Sequence, residues 1–288
     1  MAAGRAGRTG PARRGGPGRP LVMGVLNVTP DSFSDGGLYA GYDAAVAHGR
    51  ALVHQGADVV DVGGESSRPG AEPVPLDEEF DRVVPVVEAL AAPAAAAGVR
   101  ISVDTVKPEV ATAAVDAGAS LLNDISATLW EVAAATGAGW VAMHMQGQPR
   151  TMQADPRYGD VVAEVQAFVL ERAALARAAG VDEVWVDPGI GFGKTTAHNL
   201  SLLHHLPELV GAAAAAGCAG VVVGTSRKRF LGVLAAGGAG APAPAPLADR
   251  EEGSLATAAA ALVAGAGMVR VHDVTGALQV ARLYGPAA

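Results

Sequence analysis

Length, composition and charge exclude several classes of protein before any motif is considered. The chain has 288 residues, of which 50% are hydrophobic and 17% charged, so it can build one large core and is too apolar for general disorder. Its net charge of −8 argues against nucleic acid as a partner, because an acidic surface repels phosphates. The single cysteine, Cys218, excludes an internal disulfide and predicts a reducing compartment, the cytoplasm.

Residues 1–20 form a predicted flexible basic tail. They contain five arginines, six glycines, three prolines and no acidic residue, and they lack the apolar run of a secretory signal. A mitochondrial transit peptide is the alternative, but such peptides are usually amphipathic and rich in serine, which this segment lacks. No run of 18 apolar residues occurs, so the sequence predicts a soluble protein without a membrane partner.

From residue 21 onward, short runs rich in β-branched residues alternate with longer Ala-rich segments that suit helices. The runs lack apolar–polar alternation, which predicts strands covered on both faces, as in a parallel sheet. Eight such strands predict an α/β fold of the (β/α)8 TIM-barrel type, with a doubly wound open sheet as the alternative. The predicted strands are Leu21–Val28, Val59–Val62, Val99–Val103, Leu121–Asn123, Trp140–His144, Val184–Val186, Gly220–Val223 and Met268–Val271.

Two of the intervening helices have clear local signals. One should begin after an N-cap at Asp77 and either kink or have an irregular start at Pro85. Its predicted buried face comprises Phe80, Val83, Val84, Val87 and Leu90. A second helix, over 161–179, should be stopped by Gly180.

The domain organisation is predicted to be simple. Residues 21–288 should form one barrel domain that follows the tail in sequence. Within it, residues 234–250 are of Ala/Gly/Pro low complexity and are too rich in proline for a helix core. We expect them to form a surface loop between the seventh strand and the final helix.

Each predicted strand is followed by a polar or charged group. In a (β/α)8 barrel, the carboxyl ends of the strands and the loops after them build the active site, so these groups should converge on one rim. In chain order, they are Asn27, Asp61, Asp104, Asn123, His144, Asp187, Ser226 to Lys228, and Arg270 with His272.

The Gly-rich segment after the sixth predicted strand does not match two common nucleotide-binding motifs. A Walker-type loop would require glycine at Pro188, and a dinucleotide fingerprint would require glycine at Lys194. These glycines should instead let the backbone approach a bound ring closely. No short His/Cys spacing supports a zinc site, and His144 is predicted to be a packed histidine.

Eight ordered motifs resemble those of the dihydropteroate synthase family. They are NVTPDSFSDGG, DVGGESSRPGA, SVDTVKPEV, NDI, MHMQGQP, DPGIGFGK, GTSRKRF and RVHDV, and the resemblance extends from residue 21 to about 285. It implies a pterin-binding (β/α)8 barrel, usually a homodimer, with Mg2+ as cofactor. The implied reaction of folate biosynthesis joins 7,8-dihydropterin-6-ylmethyl diphosphate to 4-aminobenzoate and releases diphosphate.

The resemblance assigns the pterin to Asp104, Asn123 and Asp187, with Lys228 also in contact. This fits the chemistry, since a pterin edge presents an amidine-like donor array and a carbonyl. For any one of the three, a helix N-cap after a strand is the simpler interpretation, but three on one rim favour binding. A wrong ligand would leave such groups unpaired, at about 1–3 kcal/mol each.

Diphosphate requires cations and hydrogen-bond donors. Arg270 and His272 alternate along the eighth predicted strand and therefore face the same side, and the resemblance gives them the diphosphate. It places Ser67 and Arg68 in a loop that closes over the site. Surface ion pairing is the alternative for such cations, but the valines flanking Arg270 predict its burial. The predicted catalytic residues are Arg270, His272, Lys228 and Arg68, and Ser67 joins the pterin and diphosphate ligands.

The remaining predicted contacts concern the second substrate and the metal. The residues predicted to bind 4-aminobenzoate are Ser67, Arg68, Pro69, Phe192 and Ser226, with Phe192 as an apolar wall. By resemblance, Asn27 is the Mg2+ ligand, and its side-chain oxygen is a hard donor suited to an ion that takes few protein ligands. Asp35, in the first loop, is a second candidate.

The predicted chemistry requires no nucleophilic residue, and no Ser-His-Asp set is recognisable. We expect a dissociative substitution in which the bond to diphosphate breaks first and the dihydropterin delocalises the methylene cation. Two positions depart from the family pattern. Ser67 replaces the usual threonine but keeps the hydroxyl, and Ser126-Ala127 replaces a usual Gly-Gly pair.

Two alternative functions remain open. A pterin-binding methyltransferase that acts on a methylated folate should lack the Ser-Arg-Pro and Ser-Arg-Lys loops, which are intact here. A non-catalytic paralogue should have lost the diphosphate-binding groups, and the sequence retains them.

Overall fold

Eight parallel strands close into a barrel in the computed structural model, which describes residues 19–28, 37–238 and 243–284 and the side chains of all but 37–40. Each strand pairs with its neighbour in sequence, and Leu21–Gly24 of the first pairs with Met268–Val271 of the last. This closure confirms the (β/α)8 barrel and excludes the open sheet. The strands are β1 Leu21–Asn27, β2 Val59–Gly63, β3 Arg100–Asp104, β4 Leu121–Asp124, β5 Gly139–Met143, β6 Val184–Asp187, β7 Gly220–Val223 and β8 Met268–Val271.

Helices surround the barrel and fill the connections between strands. None of the helices in the described ranges is both long and apolar enough to span a membrane. They are α1 Gly37–Gln55, α2 Leu76–Ala96, α3 Pro108–Asp116, α4 Trp130–Thr136, α5 Val161–Ala178, α6 Thr196–His204, α7 Leu206–Ala215, α8 Arg229–Ala235, α9 Glu251–Val263 and α10 Val274–Leu283, with a 3₁₀ turn at Leu247–Arg250.

The strand alternation divides the core into two layers. Outward-facing residues such as Val22, Val60 and Val186 pack under the helices. Inward-facing residues fill the lower part of the barrel and form a separate apolar cluster. That cluster comprises Leu21, Met23, Val59, Leu121, Val141, Trp185, Val222 and Met268. The inward positions above it are polar, so the cluster is the dry floor beneath the site.

The buried face of α2 differs from the one predicted from the sequence. The helix begins at Leu76 after Pro75, without a side-chain cap from Asp77, and it continues through Pro85. Phe80 is 38% exposed, whereas Glu79 is fully buried. The buried face is Glu79, Val83, Val86, Val87, Leu90 and Ala94. The prediction is confirmed for Val83, Val87 and Leu90 and wrong for Phe80, because the paired Glu79 occupies the core position beside it. Pro85 is tolerated because it lies on the exposed side of the helix.

The helix α5 follows its prediction closely. It covers Val161–Ala178, and Gly180 after it has a φ of +94°. The side chain of Asp160, which the sequence analysis did not single out, caps the helix by accepting from the amides of Val162 and Ala163.

The segment 234–250 is more structured at its ends than a surface loop. Its first residues complete α8, and its last four form the 3₁₀ turn. The guanidinium of Arg250 donates to the carbonyls of Ala245 and Arg227, at 2.6 Å and 3.0 Å, which ties the segment to the loop after β7. Residues 239–242 lie outside the described ranges.

Arg19, which falls within the predicted tail, is bound to the barrel. The Arg19 guanidinium binds both carboxylate oxygens of Asp58, at 2.6 Å and 3.0 Å, and Asp58 also accepts from the amide of Val22. Asp58 is buried, so Arg19 is part of the barrel base that neutralises it. The prediction for residues 1–18 lies outside the described ranges.

Replacing Arg19 should therefore destabilise the barrel. Arg19→Met leaves the buried Asp58 carboxylate without its cation, and we expect the free energy of unfolding to fall by about 2–3 kcal/mol in urea denaturation. Arg157→Met is the matched control, because Arg157 pairs with Asp155 on the surface and should cost about 0.5 kcal/mol or less. Equal losses in the two variants would contradict this role of Arg19.

Candidate functional site

A buried ion-pair network occupies the barrel interior directly above the apolar floor. The Arg270 guanidinium, on β8, donates through Nε to Asp61 Oδ2 at 2.7 Å and through Nη2 to Asp104 Oδ2 at 2.8 Å. Asn123 on β4 donates to the same Asp61 oxygen at 3.0 Å. Parallel register sets this arrangement, since Asp61 is paired with Ser102 on β3 and Asp104 with Asn123 on β4.

Three polar atoms of this layer are buried without a partner among the described residues. They are Asp61 Oδ1, Asn123 Oδ1 and Ser102 Oγ. Buried acceptors left unpaired are costly, and a protein tolerates them where a ligand supplies the donors. The layer is therefore built to receive N–H or O–H groups.

Burial controls the charge of this layer. It raises the pKa of Asp104 to about 7, a shift that Arg270 partly opposes. Burial alone would lower the pKa of Arg270, but Asp61 and Asp104 outweigh it and raise that pKa above its usual value. Arg270 thus stays charged, while Asp104 can take up or release a proton near neutral pH.

The carboxyl end of β6 contributes a second acidic group with a lysine nearby. Asp187 is buried and its Oδ1 accepts from the amide of Gly189 at 2.7 Å. Burial raises the pKa of Asp187, and the charge of Lys228 lowers it in part. Burial lowers the pKa of Lys228 to about 8, and its Nζ donates to the Ile190 carbonyl and lies 4.3 Å from the centre of the Phe192 ring.

The end of β8 supplies a neutral imidazole. His272 Nδ1 lies 3.0 Å from Ser226 Oγ, and the same hydroxyl accepts from the His272 amide at 3.2 Å. Burial and the nearby cations, Arg270 first among them, together lower the pKa of His272 to about 3. His272 is therefore an uncharged hydrogen-bonding group in the absence of an anion.

The predicted site residues border one cavity of about 1000 Å³ or lie directly beneath it. The loop after β2 contributes Ser67, Arg68 and Pro69 to its wall, and the last two are exposed. The other predicted residues in the wall are Asn27, Asp104, Phe192, Lys228, Arg270 and His272. Asn123, Asp187 and Ser226 are buried behind these groups, within the contacts described above.

The loop after β2 has a firmly held base and an exposed tip. Lys107 forms ion pairs with Glu65 in the loop and with the buried Glu79 of α2. Thr105 donates to the other oxygen of Glu79 at 2.6 Å, and Arg82 donates to the Gly64 carbonyl at 2.9 Å. The base is thus fixed to α2 and to the segment after β3, while Arg68 is exposed at the tip.

Only a weak metal site can be assigned to the protein itself. Across the described ranges, no group of three His, Cys, Asp or Glu side chains is placed to hold an ion. Asn27 ends β1 and lines the cavity, so its amide oxygen is one hard donor facing the site. This donor set fits a Mg2+ held mainly by a ligand's phosphate oxygens. Asp35 lies outside the described residues.

Comparison with known proteins identifies the family. Residues 23–272 match the family model described as pterin binding enzyme. The dihydropteroate synthase of Escherichia coli strain K12 is 44% identical over 270 residues, covering 92% of this chain and 90% of that protein, and the Mycobacterium leprae enzyme is 45% identical over 273 residues, covering 92% of each. The chain belongs to the dihydropteroate synthase family.

Solved structures of the family superpose on the whole barrel. The Xanthomonas albilineans dihydropteroate synthase with 4-aminobenzoic acid has a TM-score of 0.81 and 45% identity, with 92% of each chain covered. The same protein in complex with 7,8-dihydropteroate has a TM-score of 0.77 and 42% identity over the same coverage. Members of this family with this fold thus hold both molecules in solved complexes.

Sequence analysis missed two central residues of this family member. Asp61 was recognised as a strand end but not as a ligand of Arg270, although a single acid in the apolar run of β2 signals an inward-facing charge. Lys194 was considered only to reject a nucleotide motif, yet it is buried and its Nζ lies 2.8 Å from His144 Nδ1. His144 packs edge-on against Phe168 with ring centres 5.0 Å apart, which confirms a packed histidine.

His272 should bind a proton when an anion enters the cavity. Its pKa of about 3 reflects burial among cations, and a diphosphate would favour the imidazolium and raise that pKa. Diphosphate should therefore bind with proton uptake, and its affinity should increase as the pH falls from 8 towards 6.

Calorimetry in buffers of different ionisation enthalpy measures this uptake. His272→Gln is the control, because diphosphate itself, Asp104 and Lys228 contribute equally in both proteins. The expected result is a smaller proton uptake in His272→Gln than in the parent. Identical uptake in the two proteins would show that His272 does not titrate on binding.

Proposed function

We propose that this protein condenses 7,8-dihydropterin-6-ylmethyl diphosphate with 4-aminobenzoate to give 7,8-dihydropteroate and diphosphate, in folate biosynthesis. The observation that supports this most directly is one cavity lined by several cations, with a layer of buried, unpaired acceptors directly behind its wall. A pterin diphosphate is complementary to both, with N–H groups on its ring and negative charge on its tail. The family membership supports the same reaction.

The pterin ring would occupy the deep end. Asn123 Oδ1 and Asp61 Oδ1 are free to accept from ring N–H groups, and Asp187 and Asp104 provide further carboxylate oxygens nearby. The raised pKa of Asp104 would let it either accept or donate to match the ring. Because these groups are buried, a ligand lacking the donors would leave them unpaired, which gives the site its selectivity.

The diphosphate would lie towards the mouth, near Arg270, His272, Lys228 and Arg68. Breaking the carbon–oxygen bond leaves the electron pair on diphosphate and a methylene cation delocalised into the dihydropterin. Positive groups fixed beside the leaving oxygen stabilise that charge without reorganisation. The arylamine nitrogen then forms the new bond to the methylene carbon and loses one proton to the leaving diphosphate or to water.

The 4-aminobenzoate would approach from the open side of the cavity. Phe192 offers an aromatic wall whose position is fixed by Lys228, and Ser67, Arg68 and Pro69 lie on the exposed loop after β2. A mobile loop over a rigid wall suits the second substrate, since closure would exclude water after the pterin is bound. Ser226, held by His272, completes the predicted set.

Three further features belong to this proposal. Mg2+ would be held by Asn27 together with substrate oxygens, and when bound it supplies positive charge to the leaving group. A homodimer is supported by apolar residues exposed on the adjacent helices α9 and α10, namely Val263 at 66% and Leu283 at 78% exposure. A cytoplasmic location is supported by the lone, unpaired Cys218.

A methyltransferase and a non-catalytic paralogue are less well supported. The Ser-Arg-Pro loop lines the cavity wall, and Lys228 of the Ser-Arg-Lys loop points into it. Arg270 and His272 both face the same cavity, so the groups for binding diphosphate are present and converge. A methyl group transferred from a folate would not require them.

Variants at the two ends of the site should have different defects in binding and turnover. Asp187→Asn replaces an acceptor by a mixed donor and acceptor in a buried site, at about 1–3 kcal/mol, so pterin affinity should fall by about tenfold to a hundredfold. Arg68→Ala should leave binding of a pterin without diphosphate nearly intact, because Arg68 is on the exposed loop. Its turnover and 4-aminobenzoate affinity should collapse.

Calorimetry with a pterin analogue, together with a steady-state assay of dihydropteroate, tests this division and the proposed reaction. Purified protein, the pterin diphosphate, 4-aminobenzoate and Mg2+ should give dihydropteroate. No product in this assay would refute the proposed function. Equal loss of the bare pterin in both variants would refute the division of roles.

The Mg2+ proposal has its own variant. Asn27→Ala should raise the Mg2+ concentration needed for half-maximal turnover by about tenfold, since the protein loses its hard oxygen donor. Pterin binding without diphosphate should be unchanged, because the ring lies on the other groups. Full activity of the parent in excess chelator would contradict the proposal.

A further inference from the structure

The loop between β6 and α6 is folded back on the segment after β5 by three glycines. Gly189, Gly191 and Gly193 have φ values of +66°, +87° and +64°, which side chains rarely adopt. A Cβ at Gly189 would lie 1.7 Å from the His144 carbonyl oxygen, and one at Gly193 would lie 2.3 Å from that of Gln146. The backbone of this loop thus packs against the backbone of His144 and Gln146, and its Gly189 and Phe192 carbonyls point towards Lys194.

Lys194 occupies the centre of this fold. Its Nζ donates to the carbonyls of Gly189 at 3.0 Å and Phe192 at 3.1 Å, and lies 3.4 Å from the carbonyl of His144. The same nitrogen is 2.8 Å from His144 Nδ1. Only 2% of Lys194 is exposed. One amine therefore joins both ends of the turn to the neighbouring segment.

The other contacts of the loop come from its edges. Gln153 donates to the Gly191 carbonyl at 2.5 Å, Tyr158 to the Gly193 carbonyl at 2.9 Å, and Asn199 accepts from the Gly191 amide at 2.7 Å. None of these groups reaches Phe192, whose carbonyl is bound by Lys194 and whose ring contacts Lys228. Lys194 thus binds the carbonyl of the residue predicted to form the aromatic wall, and it also binds the Gly189 carbonyl to which the Phe192 amide donates.

We propose that Lys194 is a positioning residue that fixes Phe192 at the second-substrate pocket by gathering the carbonyls of the Gly-rich turn. The proposal rests on the proposed function for the identity of that substrate, 4-aminobenzoate. Lys194 acts through the backbone of residues 189–192. Without its amine, the carbonyls of Gly189 and Phe192 lose a buried donor. The turn then keeps only the bond from the Phe192 amide to the Gly189 carbonyl, at 3.1 Å, as an internal restraint on Phe192.

The charges around Lys194 suit this role. Burial and Lys194 itself lower the pKa of His144 to about 3, so His144 is neutral and its Nδ1 accepts from the amine. Burial lowers the pKa of Lys194 to about 7, and Asp187 opposes this shift. Among the described residues, its hydrogen-bond partners are a ring nitrogen and carbonyls, and an amine with several donors matches that set.

Amide hydrogen exchange and steady-state kinetics of Lys194→Met test the proposal. Methionine keeps the length of the side chain and removes the donors. Peptides within 188–194 should exchange about tenfold faster or more, because the turn opens locally. The KM for 4-aminobenzoate should rise about tenfold, while affinity for a pterin analogue changes less than about threefold, since Asp187 is set by β6.

Two further variants keep the result decisive. Lys194→Gln retains two donors and should show smaller changes in exchange and KM in the same direction. It replaces Lys194→Met in the test if the methionine variant does not fold. Lys107→Met is the matched control, because it removes a half-buried lysine from the segment between β3 and α3 and should leave exchange within 188–194 unchanged.

The outcomes separate the proposal from the proposed function. If exchange in 188–194 is unchanged and kcat is lost, Lys194 acts on the reacting groups. If both exchange and kinetics are unchanged, Lys194 is dispensable. Either result overturns the proposal. If the parent protein forms no dihydropteroate, the proposed function fails, and exchange in 188–194 with direct 4-aminobenzoate binding still tests Lys194.

Discussion

The structure depends on one guanidinium held between two carboxylates inside a closed barrel. Arg270 crosses from β8 to Asp61 on β2 and Asp104 on β3, directly above an apolar floor that excludes water. Two acids at this depth would repel each other and resist ionisation without it. The ion pairs therefore let the barrel place acceptors at its centre, and the strand register fixes where those acceptors point.

This network also determines where positive charge lies in the site. Arg270 binds the two acids through Nε and Nη2, so its charge is partly balanced on the deep side, where a neutral ring would lie, while the residue also lines the cavity towards the other cations. Lys228, which has Asp187 beside it, and the exposed Arg68 add positive charge nearer the loops. His272 is neutral because burial and then the nearby cations, Arg270 first among them, lower its pKa, and an anion would oppose the effect of the cations. A ligand with a neutral head and an anionic tail is therefore oriented by the site before any loop closes.

The sequence predicted the barrel and most of the rim because eight apolar runs and their polar ends repeat regularly. It failed where a charged group occupies a core position. Glu79 disrupted the apolar phase of α2, and Asp61 was not recognised as the partner of Arg270, since both are explained only by residues far away in the chain. Arg19 was assigned to the tail for the same reason, because Asp58 lies 39 positions later. Local pattern carries no information on such pairs.

The use of lysine in this chain follows from geometry. It has only three lysines, and all three lie beside the predicted site: Lys107 at the base of the loop after β2, Lys194 within the turn after β6, and Lys228 against Phe192. A guanidinium is planar and suits two parallel acceptors, as Arg19 and Arg100 show with their bidentate carboxylates. An ammonium can gather acceptors that converge from several directions. Lys107 and Lys194 thus each gather acceptors from different segments onto one nitrogen, whereas Arg19 and Arg100 each bind both oxygens of a single carboxylate.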